Sequence, residues 1–169
     1  MIGTKLGGFI LFMAMILTSP SCGIYSPYGA ATSGATTFSI TYFQAVHPLV
    51  SATTAISLSE ELIDRVQRQS TLQLTDDDGE LKFEGKVIGW VVQPINVQGD
   101  ETAGANRITI TVDVVFTNTI DEDLSFQRKF SRFVDLPSSQ DIFSNEDEVV
   151  KEVALLISQD VFNASLGNW

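Results

Sequence analysis

The residue with the clearest capacity for covalent chemistry is Cys22, the only cysteine in the 169-residue chain. Its thiol follows a positive Lys5, an apolar run over 6–17 and the small residue Ser21, which is the order of a secretory signal. The apolar run is shorter than the roughly 20 residues that a transmembrane helix needs. We therefore predict a lipoprotein signal peptide over residues 1–21, whose cleavage leaves an acylated cysteine as the first residue of a membrane-anchored chain.

One position of this signal departs from the usual lipoprotein pattern, because Ser19 stands three residues before the cysteine, where leucine is preferred. The alternative is an ordinary cleaved signal followed by an incidental cysteine. The position of the sole cysteine directly at the cleavage point favours acylation. Two or three acyl chains, at about 0.8 kcal/mol per buried methylene, anchor a protein without any transmembrane segment.

The other reactive side chains lack the spacing that catalysis or metal binding needs. His47 is the only histidine, so no second one is available to bind zinc or to orient a base. Residues 76–78 are three adjacent aspartates rather than the alternating ligands of a calcium loop, and we expect a solvated turn. The acids at 60–61 and 146–148 fall in first turns of helices, where negative charge is favourable. We predict no catalytic residue, no metal and no cofactor beyond the covalent lipid.

The negative charge of the chain excludes one class of partner. The formal net charge is −11, and loss of Lys5 with the signal peptide makes it −12. Such a chain repels phosphates, so we predict no nucleic-acid binding. Residues 22–37 are rich in Gly, Ser, Ala, Thr and Pro and are predicted to form a flexible tether. Residues 38–169 are long enough for a single domain with its own core.

Hydrophobic periodicity predicts the elements that position these residues, in the order β-α-β-β-β-α. Ser57 and Glu60 have the spacing of a capping box at the start of the first helix, as do Ser144 and Asp147 for the second. The predicted strands cover 38–43, 81–92, 107–118 and 124–134, a brief strand-like stretch covers 72–74, and the helices extend to about Ser70 and through Val161.

Short connections between the three long strands indicate an antiparallel meander. In the middle strand the side chains from Ile108 to Phe116 alternate between apolar residues and a row of threonines with Asp113, so one sheet face is core and the other is open. Both helices must bury their apolar stripes against the single apolar face. The predicted fold class is α+β, a two-layer sandwich of a mostly antiparallel four-stranded sheet with two helices packed on one face.

Symmetric closure of the hairpins places Lys86 and Lys129 across from Asp113 on the open face, a charge pairing that supports this register. The same register groups Trp90 with Phe133. Large apolar side chains in a contiguous exposed patch indicate a partner, whereas scattered ones are ordinary surface residues. We predict partner contact at this end of the open face. The candidate contact residues are Ile88, Trp90, Val92 and Phe133.

Two arginines conflict with simple alternation, which puts Arg128 and Arg132 on the core side with Phe126 and Phe130. A buried guanidinium without a partner is strongly unfavourable. We expect either that the two arginines lie at the sheet edge and extend to water, or that acids from the C-terminal helix or the 135–148 linker pair with them.

The mature chain resembles a known family in several long segments rather than in one short motif. The most specific segments are FEGKVIGW, NRITITVDVVFTNT and FSRF, and CGIYS, TFSITYF and the closing GNW agree with them. Together they cover nearly all of the chain from Cys22 to Trp169. They resemble the Bacteroidetes branch of the lipopolysaccharide-assembly lipoproteins (LptE), and the order of elements predicted above agrees with that family.

The resemblance implies a non-enzymatic role at the outer membrane. Members of the family partner the large β-barrel LptD, occupy its interior as a plug and help to deliver lipopolysaccharide to the outer leaflet. Direct contact with lipopolysaccharide would need cations near its phosphates and acidic sugars. The candidate contact residues are Lys82, Lys86, Arg107 and Lys129.

Two other classes of function compete with this one. The first is a membrane-anchored lipoprotein that binds a small ligand or another protein and has no connection to lipopolysaccharide. The second is a lipid-modifying enzyme, which would need a cleft with a perturbed acid or base that this sequence does not indicate. Affinity purification distinguishes lipopolysaccharide assembly from the ligand-binding alternative, because only an assembly lipoprotein co-purifies with a large outer-membrane barrel.

Overall fold

A six-stranded sheet packs against two helices in the computed structural model, which describes residues 30–95 and 104–167. The predicted signal peptide, the acylation site Cys22 and the first part of the predicted tether lie outside the described residues. The elements in chain order are β1 Thr37–Ile40, β2 Gln44–Ala45, α1 Ala52–Gln69, β3 Gln73–Leu74, β4 Leu81–Ile95, β5 Ala105–Asn118, a 3₁₀ turn Glu122–Leu124, β6 Phe126–Pro137 and α2 Glu146–Leu166.

The strand order is β3-β1-β4-β5-β6, with β2 also paired to β4. Strands β4, β5 and β6 form the predicted antiparallel meander, whereas β1 runs parallel to β3 and β4, and β2 runs parallel to β4. The α+β class is confirmed, but the expected four-stranded and mostly antiparallel sheet is wrong in detail. The physical reason is that α1 lies between the early strands and β4, and a crossover through a helix returns the chain in the parallel direction.

The predicted strand over 38–43 is divided between β1 and β2, which pair with successive parts of β4. Phe43 lies between the two short strands, and its ring packs over Gly85 of β4. A Cβ atom at Gly85 would lie 2.5 Å from two carbons of that ring. The glycine therefore leaves the space that the buried aromatic side chain occupies.

Both helices begin at residues other than the predicted ones. The N-cap of α1 is Ser51, whose hydroxyl accepts a hydrogen bond from Thr54 N at 3.1 Å. This cap lies six positions before the predicted Ser57. Ser144 bonds backward to the carboxylate of Asp141 rather than capping α2. Capping-box spacing identified the correct regions, but local loop contacts decided the starting residues.

A β-bulge in β4 changes which side chains face the core. Val87 pairs with Val112 and Gly89 pairs with Thr111, so Ile88 is the extra residue. Because a shift of one residue moves every following side chain to the opposite face, Trp90 is only 8% exposed and belongs to the core. The expected placement of Trp90 and Val92 on the open face is therefore wrong.

The apolar face of the meander carries a row of aromatic rings that crosses three strands. Phe83 and Phe116 have ring centroids 4.9 Å apart, and Phe116 and Phe126 have centroids 5.4 Å apart. Both helices contribute to the same hydrophobic cluster, through residues such as Leu62 and Ile157. The two-layer arrangement with helices on one side of the sheet follows from this shared core.

The two helices are also joined by a buried cation that sequence reasoning missed. Arg65 of α1 donates to Ser158 Oγ at 2.9 Å, to Gln159 Oε1 at 2.6 Å and to the carbonyl of Leu155 at 3.1 Å, all on α2. The guanidinium is thus satisfied by fixed acceptors in the interior. Its acceptors lie more than 80 positions along the chain, so no local pattern indicates this contact.

The two arginines of β6 are accommodated in both of the expected ways, by an edge position that reaches water and by pairing with an acid. Strand β6 is the edge of the sheet, and Arg132 forms two hydrogen bonds with the carboxylate of Asp160 on α2, at 2.5 and 2.6 Å. Arg128 is exposed and its guanidinium lies 5.3 Å from the centre of the Phe126 ring. An edge position lets each side chain reach water while its stem covers apolar surface.

Candidate functional site

The described helices leave one face of the meander uncovered, and we call it the open face. It is formed by the side chains of β4, β5 and β6 that point away from the core. In β5 these residues alternate strictly with buried ones from Ile108 to Phe116. We define the open face by its outward residues Lys82, Glu84, Lys86, Val91, Gln93, Arg107, Thr109, Thr111, Asp113, Val115, Thr117, Gln127, Lys129, Ser131, Phe133 and Asp135.

Two lysines and one aspartate form a row across the centre of the open face. Lys86 pairs with Asp113 on β5, and Asp113 pairs with Lys129 on β6, so the predicted register is confirmed at this row; beyond the bulge Val91 takes the predicted place of Trp90 opposite Thr109. The carboxylate of Asp113 accepts a hydrogen bond from Gln127 Nε2 at 3.1 Å. Neither lysine forms an ion pair with any acid in the described ranges. Both ammonium groups are therefore available to an anion.

A shallow depression of about 120 Å³ lies beside this row. Its wall combines side chains of opposite charge with the exposed ring of Tyr42, so it offers donors, acceptors and an aromatic surface together. The lining residues are Thr41, Tyr42, Gln44, Glu84, Gly85, Lys86, Asp113, Val115 and Gln127.

The other two predicted contact cations are already engaged within the chain. Lys82 forms an ion pair with Asp78 at 3.0 Å. Arg107 donates to both carboxylate oxygens of Asp135 at 2.8 Å, and its guanidinium carbon lies 3.8 Å from the centre of the Phe133 ring. The hydrogen bonds from Arg107 lower the pKa of the Asp135 carboxyl. These two cations would have to give up a partner before they could bind a phosphate.

The apolar residues predicted to contact a partner are separated by the bulge in β4. Phe133 remains on the open face, 46% exposed, in one row with Thr109 and Val91. Ile88 is half-buried at the bulge. Trp90 lies on the helix side of the sheet instead. The side chains of Leu49, Trp90, Val92, Ile142, Phe143 and Glu146 line an apolar groove of about 180 Å³ there.

Residues 30–31, the first described residues of the predicted tether, contact the body at the end opposite this groove. Ala31 N donates to the carbonyl of Leu166 at 2.7 Å, next to the C-terminal end of α2, whereas the groove includes Glu146 at its N-terminal end. The 21 residues of α2 separate these points by about 30 Å.

The carboxylate of Glu80 accepts hydrogen bonds from Thr36 N and Thr37 N, which lower the pKa of Glu80.

Other kinds of site have little support in the described part of the chain. Nδ1 of His47 accepts a hydrogen bond from Leu49 N at 3.3 Å within its own loop. Over residues 30–95 and 104–167, no group of three or more His, Cys, Asp or Glu side chains is close enough to hold a metal ion. Neither described helix combines the length and apolar character needed to cross a bilayer.

Comparison with solved structures finds proteins of low sequence identity, several of which are described as lipoproteins. A minor lipoprotein from Acinetobacter baumannii has 14% identity and a TM-score of 0.47, covering 79% of this chain and 97% of that one. The rare lipoprotein B from Shewanella oneidensis has 9% identity and a TM-score of 0.49, covering 75% and 92%. The hypothetical protein CT253 from Chlamydia trachomatis has 13% identity and a TM-score of 0.47, covering 76% and 92%.

Comparison of the sequence with family models shows which family the chain belongs to. A search of curated proteins finds no match. The family model described as lipopolysaccharide-assembly, LptE, matches residues 35–165, which include every strand and nearly all of α2. The resemblance inferred from the strand segments is thereby confirmed, and the chain belongs to the LptE lipopolysaccharide-assembly family.

Proposed function

We propose that this chain is an outer-membrane lipoprotein that partners an LptD-type β-barrel in the transport and assembly of lipopolysaccharide, without catalysing a reaction. The observation that carries the proposal is the family match over residues 35–165. The acylated Cys22 would hold the chain on the membrane, facing the periplasm or the barrel lumen. The body would then act by fitting against the larger protein.

The open face has the chemistry that a barrel interior requires. Threonines, serine, lysines and aspartate dominate its centre, and the interior of an outer-membrane barrel is polar. Phe133 and Val91 add an apolar end, which supports contact with a partner. Because the tether enters at one end of the body, the other end can extend about 30 Å away from the membrane surface.

Contact with lipopolysaccharide is assigned to the two unpaired lysines of the open face. Lys86 and Lys129 flank Asp113 on neighbouring strands and are not held by ion pairs within the described residues. Phosphate groups form strong charge-assisted hydrogen bonds with ammonium groups. Lys82 and Arg107 are secondary candidates, because each is paired with an aspartate.

Replacement of Lys86 by glutamate is expected to weaken binding of purified lipopolysaccharide by about tenfold, the effect of losing one charge-assisted contact. The matched control is Lys151→Glu, an exposed lysine of α2 on the opposite side of the molecule. Titration of each variant with purified lipopolysaccharide at low and high salt measures the two affinities. Equal losses in the two variants would indicate a general effect of net charge and would contradict the assignment.

Depletion of the chain from its host tests the whole proposal. We expect lipopolysaccharide to disappear from the cell surface, and we expect a tagged, acylated chain to co-purify with a large outer-membrane barrel. Normal surface lipopolysaccharide after depletion, with only soluble partners recovered, would refute the proposal and favour a ligand-binding lipoprotein of another kind.

A further inference from the structure

The outer edge of β6 consists of the backbone groups that face away from β5, and it adjoins the open face. β6 has 12 residues and ends the sheet, and its register with β5 runs without a shift from Phe126 to Pro137. The opposite edge is β3, with only two residues. Among the residues that the structure describes, no segment pairs with the outer side of β6. A long, regular edge of this kind is a template for another strand.

Hydrogen bonds at the two ends of β5 determine which backbone groups of β6 point outward. Thr119 N donates to Glu80 O at 2.9 Å, so odd-numbered residues of β5 turn their backbone groups toward β4. Ser138 N donates to Gly104 O at 3.3 Å. The backbone groups of even-numbered residues in β5 therefore bond to those of even-numbered residues in β6. Because this direction alternates along an antiparallel strand, the odd-numbered residues of β6 present their N–H and C=O groups outward. These residues are Gln127, Lys129, Ser131, Phe133 and Asp135.

The charge of this edge indicates the kind of strand that fits it. β6 carries three cations and one acid, in a chain whose net charge is −11. Arg132 and Asp135 are used in ion pairs with α2 and β5. The neighbours Arg128 and Lys129 are exposed and form no ion pair in the described ranges. Two copies of β6 would bring four such cations to one interface, whereas an acidic strand would neutralise them.

We infer that the outer edge of β6 receives, by strand addition, an extended segment of another polypeptide whose acidic side chains meet Arg128 and Lys129. The outward N–H and C=O groups supply the main-chain hydrogen bonds, and the two cations select the sequence. The inference goes beyond the proposed function. It shares Lys129 with the proposed lipopolysaccharide contact, whereas Arg128 and the outward backbone groups of β6 serve strand addition alone.

Site-specific photo-cross-linking in intact envelopes tests this inference with the full acylated chain. The cross-linking side chain is placed at Gln127, where the open face meets the edge. The controls are Thr109 in the middle of the open face and Asp64 on the exposed side of α1. We expect the edge position alone to capture one extended segment that contains acidic residues, identified by peptide mapping. Arg128→Glu is expected to lower the yield about tenfold and Arg128→Lys to preserve it.

A backbone variant separates strand addition from simple charge attraction. Ser131→Pro removes an outward N–H that β5 does not use, and we expect about a tenfold loss of cross-linking, whereas Ser131→Ala keeps the N–H and the yield. Circular dichroism of each variant checks that it is folded. If Ser131→Pro is unfolded, the cross-linking yields of Arg128→Glu and Arg128→Lys test the inference. A product formed from two copies of this chain, a mapped segment without acids, or an unchanged yield in the folded variants would overturn the inference.

Discussion

A Cys22→Ala chain is expected to incorporate no labelled fatty acid and to retain residues 1–21, because a signal peptidase that recognises a lipid-modified thiol has no substrate. The effect is complete rather than partial, since Cys22 is the only thiol. Metabolic labelling and mass spectrometry of the N-terminal peptide measure the two expectations. An unmodified residue 22 in the native protein would contradict the prediction.

Membrane attachment needs a second variant, because an uncleaved signal can itself hold the chain on a membrane. Replacing residues 1–22 by a cleavable signal without a lipoprotein box exports the body without acyl chains. We expect this body in the soluble periplasmic fraction, because each lost chain removes about 0.8 kcal/mol per buried methylene. The matched control is Ser21→Ala, which keeps a small residue before the cysteine and should remain acylated. A body that stays on washed membranes would show that protein contacts suffice for attachment.

Truncation of Phe116 to alanine is expected to destabilise the folded body by about 3–5 kcal/mol. The ring is 1% exposed and lies between Phe83 and Phe126, so its removal leaves a cavity at the centre of the aromatic row. Urea unfolding of the body without acyl chains measures the change as a lower midpoint with an unchanged slope.

The control for this prediction is Phe143→Ala. Phe143 is 86% exposed beside the apolar groove, so its truncation is expected to change stability by no more than about 0.5 kcal/mol. A similar loss in both variants would mean that the aromatic row is not the centre of the core. A small loss in both would mean that the sheet tolerates a cavity by collapsing around it.

The apolar side chains that were expected to form one contact surface lie on two different sides of the sheet. The sequence predicted one continuous patch of Ile88, Trp90, Val92 and Phe133 on the open face. The structure assigns Phe133 to that face and Trp90 to the groove on the helix side. The open face is consequently more polar than expected, as the proposed contact with a polar barrel interior requires.

The features determined by the sequence alone are those set by neighbouring residues. Alternation in β5 is strict, so its core face and open face were correctly predicted from Ile108 to Phe116. The row of Lys86, Asp113 and Lys129 was also predicted correctly, although the shift at Ile88 changes the pairing closer to the β4–β5 loop. Both helices were located from their apolar periodicity, because that period is a property of the local backbone.

Tertiary structure decided the features that depend on distant residues. The parallel pairing of β1 with β4 depends on where α1 packs, and the bulge at Ile88 depends on how β4 fits β5 and the core. Arg65 finds its acceptors on α2, and Arg132 finds Asp160. A repeating pattern encodes which side of an element is apolar, but the partner of each side is chosen when the elements pack, because burial is a property of the assembled layers.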